Sequence, residues 1–442
     1  MTRPLAVLLL ATAVAVPRGL AQAPAPEPVR LTLADAVARA RASSPRIDEL
    51  RAARQGAEAG LRGARAGRLP TVELQASYTR HSDVPELVIA LPGLAPRTVF
   101  PNIPNTYRTR AELSLPLYTG GRVSAAIESA RHGRDAADRD VEAGLGDLVL
   151  ETVTAYWSLV AARESERVLA ESIASYESHL KQARDRQDAG MAARSEVLAV
   201  QVERDRAELA RLQAHNDAMV ANDDLARLLG LDRGARVEPT EPVAAPAPAD
   251  ETAEALVAKA LEARPELAGL RARAAAADAD VRAAGSARRP QASLTAGYDY
   301  ARPNPRLLPL EDAWNDTWSV GLNLSLLAFD GGRTSAAVAQ ARARAEAARR
   351  RLEDAQRRVR LEVASRLHLL ATSRAALAVA ERSVEAARED VRVSQDRYRE
   401  GLVPASELLD AQSRLLRAGL DRTRPATQVQ QARADLDRAV GR

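Results

Sequence analysis

Four stretches of this 442-residue chain alternate apolar and polar residues with a period of two: 71–80, 108–118, 290–300 and 315–327. One set of positions reads Val72, Leu74, Ala76, Tyr78, then Ala111, Leu113, Leu115, Leu117, then Ala292, Leu294, Ala296, Tyr298, then Val320, Leu322, Leu324, Leu326. The intervening positions are polar or small: Glu73, Gln75 and Ser77, then Arg110, Glu112 and Ser114, with Ser293, Thr295, Asn323 and Ser325 in the later pair. Such alternation predicts strands with one apolar and one polar face. A soluble sandwich and a transmembrane barrel both use strands of this kind, and alternation alone leaves both open.

At Gly120-Gly121 and again at Gly331-Gly332 the period changes from two to that of a helix, and the text becomes charged and Ala-rich. Each junction reads as a strand passing into a helix, where glycine supplies dihedrals that a Cβ hinders. No proline occurs between Gly121 and Pro239, which permits very long helices. The spacing predicts antiparallel helices over 121–187 and 195–229, the first about 100 Å long at ~1.5 Å per residue. The tip between them is Asp188-Ala189-Gly190-Met191-Ala192-Ala193. Heptad stripes run along them, Leu169, Ile173, Tyr176, Leu180 and Ala183 outward and Leu198, Val202, Leu209, Leu212 and Met219 on the return. The stripes predict coiled-coil packing.

After the proline-rich segment 238–249 the chain repeats itself. Pro45, Leu50-Arg51, Pro70, Leu74 and Tyr78 reappear as Pro265, Leu270-Arg271, Pro290, Leu294 and Tyr298, at an offset of 220. From Gly120 onward the offset is 211, so that Gly190 maps to Gly401, Ser195-Glu196 to Ser406-Glu407 and Gln201 to Gln412. The difference falls between the strands of each copy, where a loop tolerates a change of length. The expected organisation is a signal peptide at 1–23, a first repeat at 24–237, the linker at 238–249 and a second repeat at 250–442, whose helical hairpin covers 332–440. Within the first repeat a helical segment broken at Pro45 precedes the strands, and 81–107, with five prolines and no periodicity, reads as a loop.

Arg3, an apolar run over 5–16 and Ala21-Gln22-Ala23 form the pattern of a secretory signal peptide. That run is too short to span a membrane as a helix. Aromatic placement favours the barrel over the sandwich. Nine of the thirteen aromatic residues, including Tyr78, Tyr107, Tyr118, Tyr300, Trp314 and Phe329, fall within the two strand regions and mostly near strand ends. Amphipathic rings settle at the headgroup level of a bilayer. Four strands are too few to close a barrel, and unpaired backbone in lipid is costly, so several chains are expected to share one sheet.

The net charge of +4 with interspersed signs indicates no nucleic-acid surface. Absence of cysteine removes a disulfide framework, a thiolate metal site and a cysteine nucleophile. The histidines, at 81, 132, 179, 215 and 368, show no metal-ligand spacing. No nucleophile motif or phosphate loop appears, so neither an enzyme nor a cofactor is expected.

With its twofold repeat, strand-Gly-Gly-helix junctions and the tip Tyr398-Arg399-Glu400-Gly401-Leu402-Val403-Pro404-Ala405-Ser406-Glu407-Leu408-Leu409-Asp410, the chain resembles the TolC-like outer membrane efflux proteins over essentially its whole mature length. The resemblance implies a mainly α homotrimer with transmembrane β: a 12-stranded barrel in the outer membrane, four strands per chain, continued by a long antiparallel coiled-coil helical barrel in the periplasm. It implies passive export, with a periplasmic adaptor and an inner-membrane pump of RND, ABC or MFS type as partners and outer membrane lipid around the barrel. Its rival is a periplasmic coiled-coil scaffold without a channel.

The same resemblance suggests site residues. Glu407 and Asp410 match acidic positions that ring the periplasmic aperture, and Tyr398 matches a tyrosine tying one hairpin to the other, its partner carboxylate corresponding to Glu196 beside Ser195. Three copies of each acid around one axis would attract cations; alternatively the acids simply favour a helix start. Val403 stands where the family's gate carries an arginine, whereas Arg194 lies in the first tip. Gly190, Val197, Leu198, Gly401, Leu408 and Leu409 resemble an adaptor-docking surface, a role compatible with plain turn and packing duties. Pro425, whose counterpart is Ala214, is expected to kink the last helix.

Overall fold

A computed structural model describes residues 28–89, 92–93, 96–232, 234–241 and 251–442. The expected signal peptide and most of the linker lie outside the described residues. The chain opens with a short strand β1 (Val29–Leu31), helices α1 (Leu33–Ser43) and α2 (Pro45–Ala66), and a strand β2 (Thr71–Arg80). A small hairpin β3 (Leu87–Ile89) and β4 (Arg97–Phe100) precedes β5 (Asn105–Tyr118), and two long helices follow, α3 (Arg122–Asp188) and α4 (Arg194–Leu228). The second half runs β6 (Val237–Pro239), α5 (Ala253–Ala263), α6 (Pro265–Gly285), β7 (Gln291–Arg302), β8 (Asn315–Ser325), α7 (Arg333–Arg399) and α8 (Ala405–Val440). Helices α3 and α7 have identical lengths at an offset of 211.

Local chemistry accounts for the boundaries. Thr32 caps α1, its hydroxyl accepting from the Asp35 amide while Asp35 accepts from the Thr32 amide. Pro45 and Pro265 open α2 and α6, at the one turn where a missing N–H costs nothing. Gly121 and Gly332 cap α3 and α7 with φ of 91° and 88°, left-handed values that an L side chain rarely adopts.

Two expectations about the connecting segments need correction. The 81–107 segment is not all loop: β3 and β4 pair antiparallel, and β5 begins at Asn105, ahead of the expected 108. The proline-rich linker begins with strand, since β6 pairs parallel with β1, Val29 opposite Val237. The Tyr156 hydroxyl fastens this pair, donating to the Leu31 carbonyl and accepting from the Glu241 amide, each at 3.2 Å.

The four long strands form one antiparallel sheet in the order β2-β5-β7-β8, leaving β2 and β8 as edges. Two equivalent cores lie beneath it. Ala36, Ile47, Leu148, Leu159, Leu225 and Leu229 gather in the first half, and Leu256, Leu267, Val359, Leu370, Leu436 and Val440 in the second. Along the helical layer α3 packs on α2, α4, α6 and α8, while α8 lies between α3 and α7. Helix α8 continues uninterrupted through Pro425.

The outward stripe on α3 is buried as expected, from Leu169 to Ala183. The return stripe on α4 is not. Leu198, Val202, Leu209, Leu212 and Met219 are all exposed, and α4 instead turns Val197, Val200, Ala207, Ala214 and Ala218 inward. Heptad spacing marks an apolar face without naming its neighbour.

Candidate functional site

The sheet and the two hairpin tips, at opposite ends of the long helices, hold the residues of interest. In the sheet, register turns alternation into two continuous faces. Val72 lies opposite Leu113, Leu113 opposite Ala296, and Ala296 opposite Val320; Leu74, Ala111, Tyr298 and Trp318 form the next row. The paired members of the apolar set therefore project on one side, where Leu74 is 77% and Leu324 75% exposed. The other side is polar and paired. Arg108 donates to Asp299 at 2.6 Å, and Arg110 lies 3.1 Å from Glu112.

Aromatic rings border the apolar face at both ends. Tyr78, Tyr107, Trp314 and Tyr300 form a chain of ring contacts with centroids 5.0, 5.9 and 4.8 Å apart at the end away from the helices. Tyr118 and Phe329 are exposed at the helix end. Strict alternation would turn Tyr118 to the polar face; a register shift between Pro116 and Tyr118 leaves Leu117 extra and sets Tyr118 opposite Ala292, on the apolar side. The eleven residue-to-residue steps from Tyr107 to Tyr118 span about 37 Å at ~3.4 Å each. Tilted by ~40°, that length covers roughly 28 Å, close to the apolar band of a transmembrane barrel. Among the described residues no helix is long and apolar enough to cross a membrane.

Both tips close in the same way. Gly190 and Gly401 adopt φ of 73° and 74°, and the amides of Met191 and Leu402 reach back to the Arg186 and Arg397 carbonyls at 2.8 and 2.9 Å. This is the Schellman ending of a helix, in which a left-handed residue turns the chain and satisfies the last carbonyls.

Of the gate candidates, the structure brings Tyr398 and Glu196 together: the phenol donates to Glu196 Oε1 at 2.5 Å. The Arg186 guanidinium lies over the ring, 4.7 Å from its centroid. Burial and the neighbouring carboxylate push the Tyr398 phenol up to about 12. Glu407, in the first turn of α8, pairs with Arg397 at 3.0 Å. Asp410 is exposed and joins Ser195, Leu198, Val202, Leu409 and Ser413 along an open groove of about 660 Å³ between α4 and α8. Arg194 is exposed with no partner among the described residues.

Among the docking candidates, Val197, Leu408 and Leu409 are 8%, 3% and 8% exposed, their side chains consumed by packing within and between the hairpins. Leu198 points outward, and so do Met191 and Leu402, 67% and 66% exposed. Those two were missed in the sequence although each follows a tip glycine at the common offset. Arg186 and Arg397 were missed as well; the signal was a basic residue in the last turn of each long helix, where it meets the negative end of the dipole.

The sequence matches the family described as outer membrane efflux protein over residues 36–231 and 256–442. The chain belongs to this family. It is an outer membrane protein built as an efflux channel, with its helical barrel in the periplasm. It is 29% identical over 336 residues to the outer membrane protein OprJ of Pseudomonas aeruginosa, covering 74% of this chain and 69% of that one. The outer membrane protein TolC of Vibrio cholerae is 24% identical over 292 residues, covering 65% and 66%. The solved structure of VceC, an outer membrane protein of Vibrio cholerae, shares the fold with a TM-score of 0.77 at 21% identity, covering 92% of this chain and 96% of that one.

Proposed function

We propose that three copies of this chain close a 12-stranded outer membrane barrel, and that their long helices continue it as the periplasmic exit duct of a tripartite efflux or type I secretion system. The four-stranded sheet carries this reading, with its single apolar face, aromatic borders and two unpaired edges. Backbone left unpaired in lipid is expensive, so β8 of one copy must meet β2 of the next. Substrate passes passively from an inner-membrane pump through a periplasmic adaptor to the exterior.

At the periplasmic end the Tyr398–Glu196 bond, clasped by Arg186, ties the second hairpin to the first and holds the duct narrow. Threefold repetition of Glu407 and Asp410 adds an acidic collar, moderated at Glu407 by Arg397. With Val403 buried at the second tip, Arg194 is the exposed cation available to the gate from the first. Leu198, Met191 and Leu402 offer the adaptor its apolar contacts, on turns formed by Gly190 and Gly401 and stiffened by Val197, Leu408 and Leu409.

The test is the protein mass of the detergent-extracted outer membrane fraction by light scattering, followed by conductance in a planar bilayer. A mass of three chains and discrete channel steps are expected. A monomer released without detergent would overturn the reading and favour the periplasmic scaffold.

A further inference from the structure

We infer that Arg108, Arg110 and Arg306 form a binding site for multivalent anions on the polar side of the sheet, at the end away from the helices. The duct then passes solutes bearing phosphate, sulfate or carboxylate groups across this site on their way out. The inference rests on the duct reading above, which turns the apolar face to lipid and the polar face to the lumen, and it adds a substrate class.

Register brings the first two arginines together. Arg108 and Arg110 are two positions apart on β5 and so share its polar face. Arg110 stands opposite Asp299 of β7. Arg108 donates to Asp299 Oδ1 at 2.6 Å, while Arg110 Nε lies 4.0 Å from Oδ2. The second spacing is too long for a hydrogen bond, and Arg110 Nε is a buried donor with no acceptor among the described residues.

The third arginine arrives from the β7–β8 connection, which crosses to the same face. Asn304 is 2% exposed; its amide group donates to the Asn315 carbonyl at 3.1 Å and to the Thr317 hydroxyl at 3.3 Å, and its Oδ1 accepts from the Arg306 main-chain N–H at 3.0 Å. Thr317 lies opposite Asp299, so the connection is pinned over the polar side of β8. From there Arg306 reaches back along the strand to the Trp318 carbonyl at 3.4 Å, exposed and in no ion pair among the described residues. Its charge acts on Asp299 together with those of Arg108 and Arg110.

Three guanidiniums thus converge on one carboxylate. The next acids, Glu112 and Glu73, face each other one polar row nearer the helices, where Glu112 takes only Arg110 Nη2 at 3.1 Å. On the opposite face the balance is different: Arg302 is matched by Asp312 through two hydrogen bonds at 2.8 and 3.0 Å. A carboxylate shared by three guanidiniums leaves N–H donors unused, Arg110 Nε among them. An anion with several acceptor atoms fits that surplus, because the guanidinium fork matches phosphate and carboxylate oxygens.

The test is isothermal titration of the purified protein, extracted in a non-ionic detergent, with hexacyanocobaltate(III), a trivalent anion that does not exchange its ligands. Saturable binding of one ion per chain is expected. Arg306→Gln, which alters an exposed side chain on a connection, should weaken binding about tenfold, the worth of one hydrogen bond to a charged group, and Arg110→Gln should do the same. Arg302→Gln removes an equal charge from the other face and should leave the affinity unchanged. Equal weakening in Arg302→Gln would reduce the effect to net charge and overturn the site, as would native affinity in Arg306→Gln. If light scattering gives a trimer and no saturable binding is seen, the site is overturned while the duct reading stands. A monomer would remove the lumen, and both readings with it.

Discussion

The two halves of the chain keep the same backbone on unequal cores. Leu159 and Leu370, Leu225 and Leu436, Ile47 and Leu267 fill equivalent places. Yet Tyr156 and Trp157, fully buried in an edge-on contact 5.5 Å apart, have Leu367 and His368 as counterparts, the histidine exposed. A duplicated fold is therefore maintained by a few shared aliphatic positions, and its aromatic anchor is needed on one side only. That side is where the Tyr156 hydroxyl holds β1 and the segment after β6.

Removing the anchor tests this asymmetry most severely. Trp157→Ala should destabilise the protein by about 3–5 kcal/mol, seen as a large fall in the melting temperature of the extracted protein. His368→Ala should change stability by no more than about 0.5 kcal/mol. Equal effects would mean that the halves share one core.

The tips differ in the same sense, because Tyr398 has Gln187 as its counterpart and the tie has no mirror image. Tyr398→Phe should cost about 1.5–3 kcal/mol of closure, the worth of a hydrogen bond to a charged group, and raise bilayer conductance; Gln187→Leu should leave conductance unchanged. The phenol's pKa is raised from 10 to about 12, so the tie holds fully below pH 10 and is lost as pH climbs through 12. Conductance should rise over that window in the native protein and stay flat in Tyr398→Phe.

The strands were legible to within a few residues because a face that meets lipid or a packed neighbour needs strict period-two text. The long helices were legible because prolines are absent and glycines stand where φ turns positive. The β3–β4 hairpin escaped notice because its strands are short and set among prolines, and the β1–β6 pair because three-residue partners 208 positions apart carry no local signal. The α4 stripe was read as part of the packed hairpin, whereas within one chain its leucines have no cover. At the tips the position of Tyr398 and Glu196 followed from resemblance, while Arg186 and Arg397 resembled many other basic residues on α3 and α7.

Both hairpin tips owe their shape to main-chain amides returning to main-chain carbonyls around a single glycine. Side-chain identity at Met191 and Leu402 is consequently free of any folding duty. A lineage that keeps Gly190 and Gly401 can rewrite those two outward residues and change the surface chemistry of the tip, with the turn itself inherited intact.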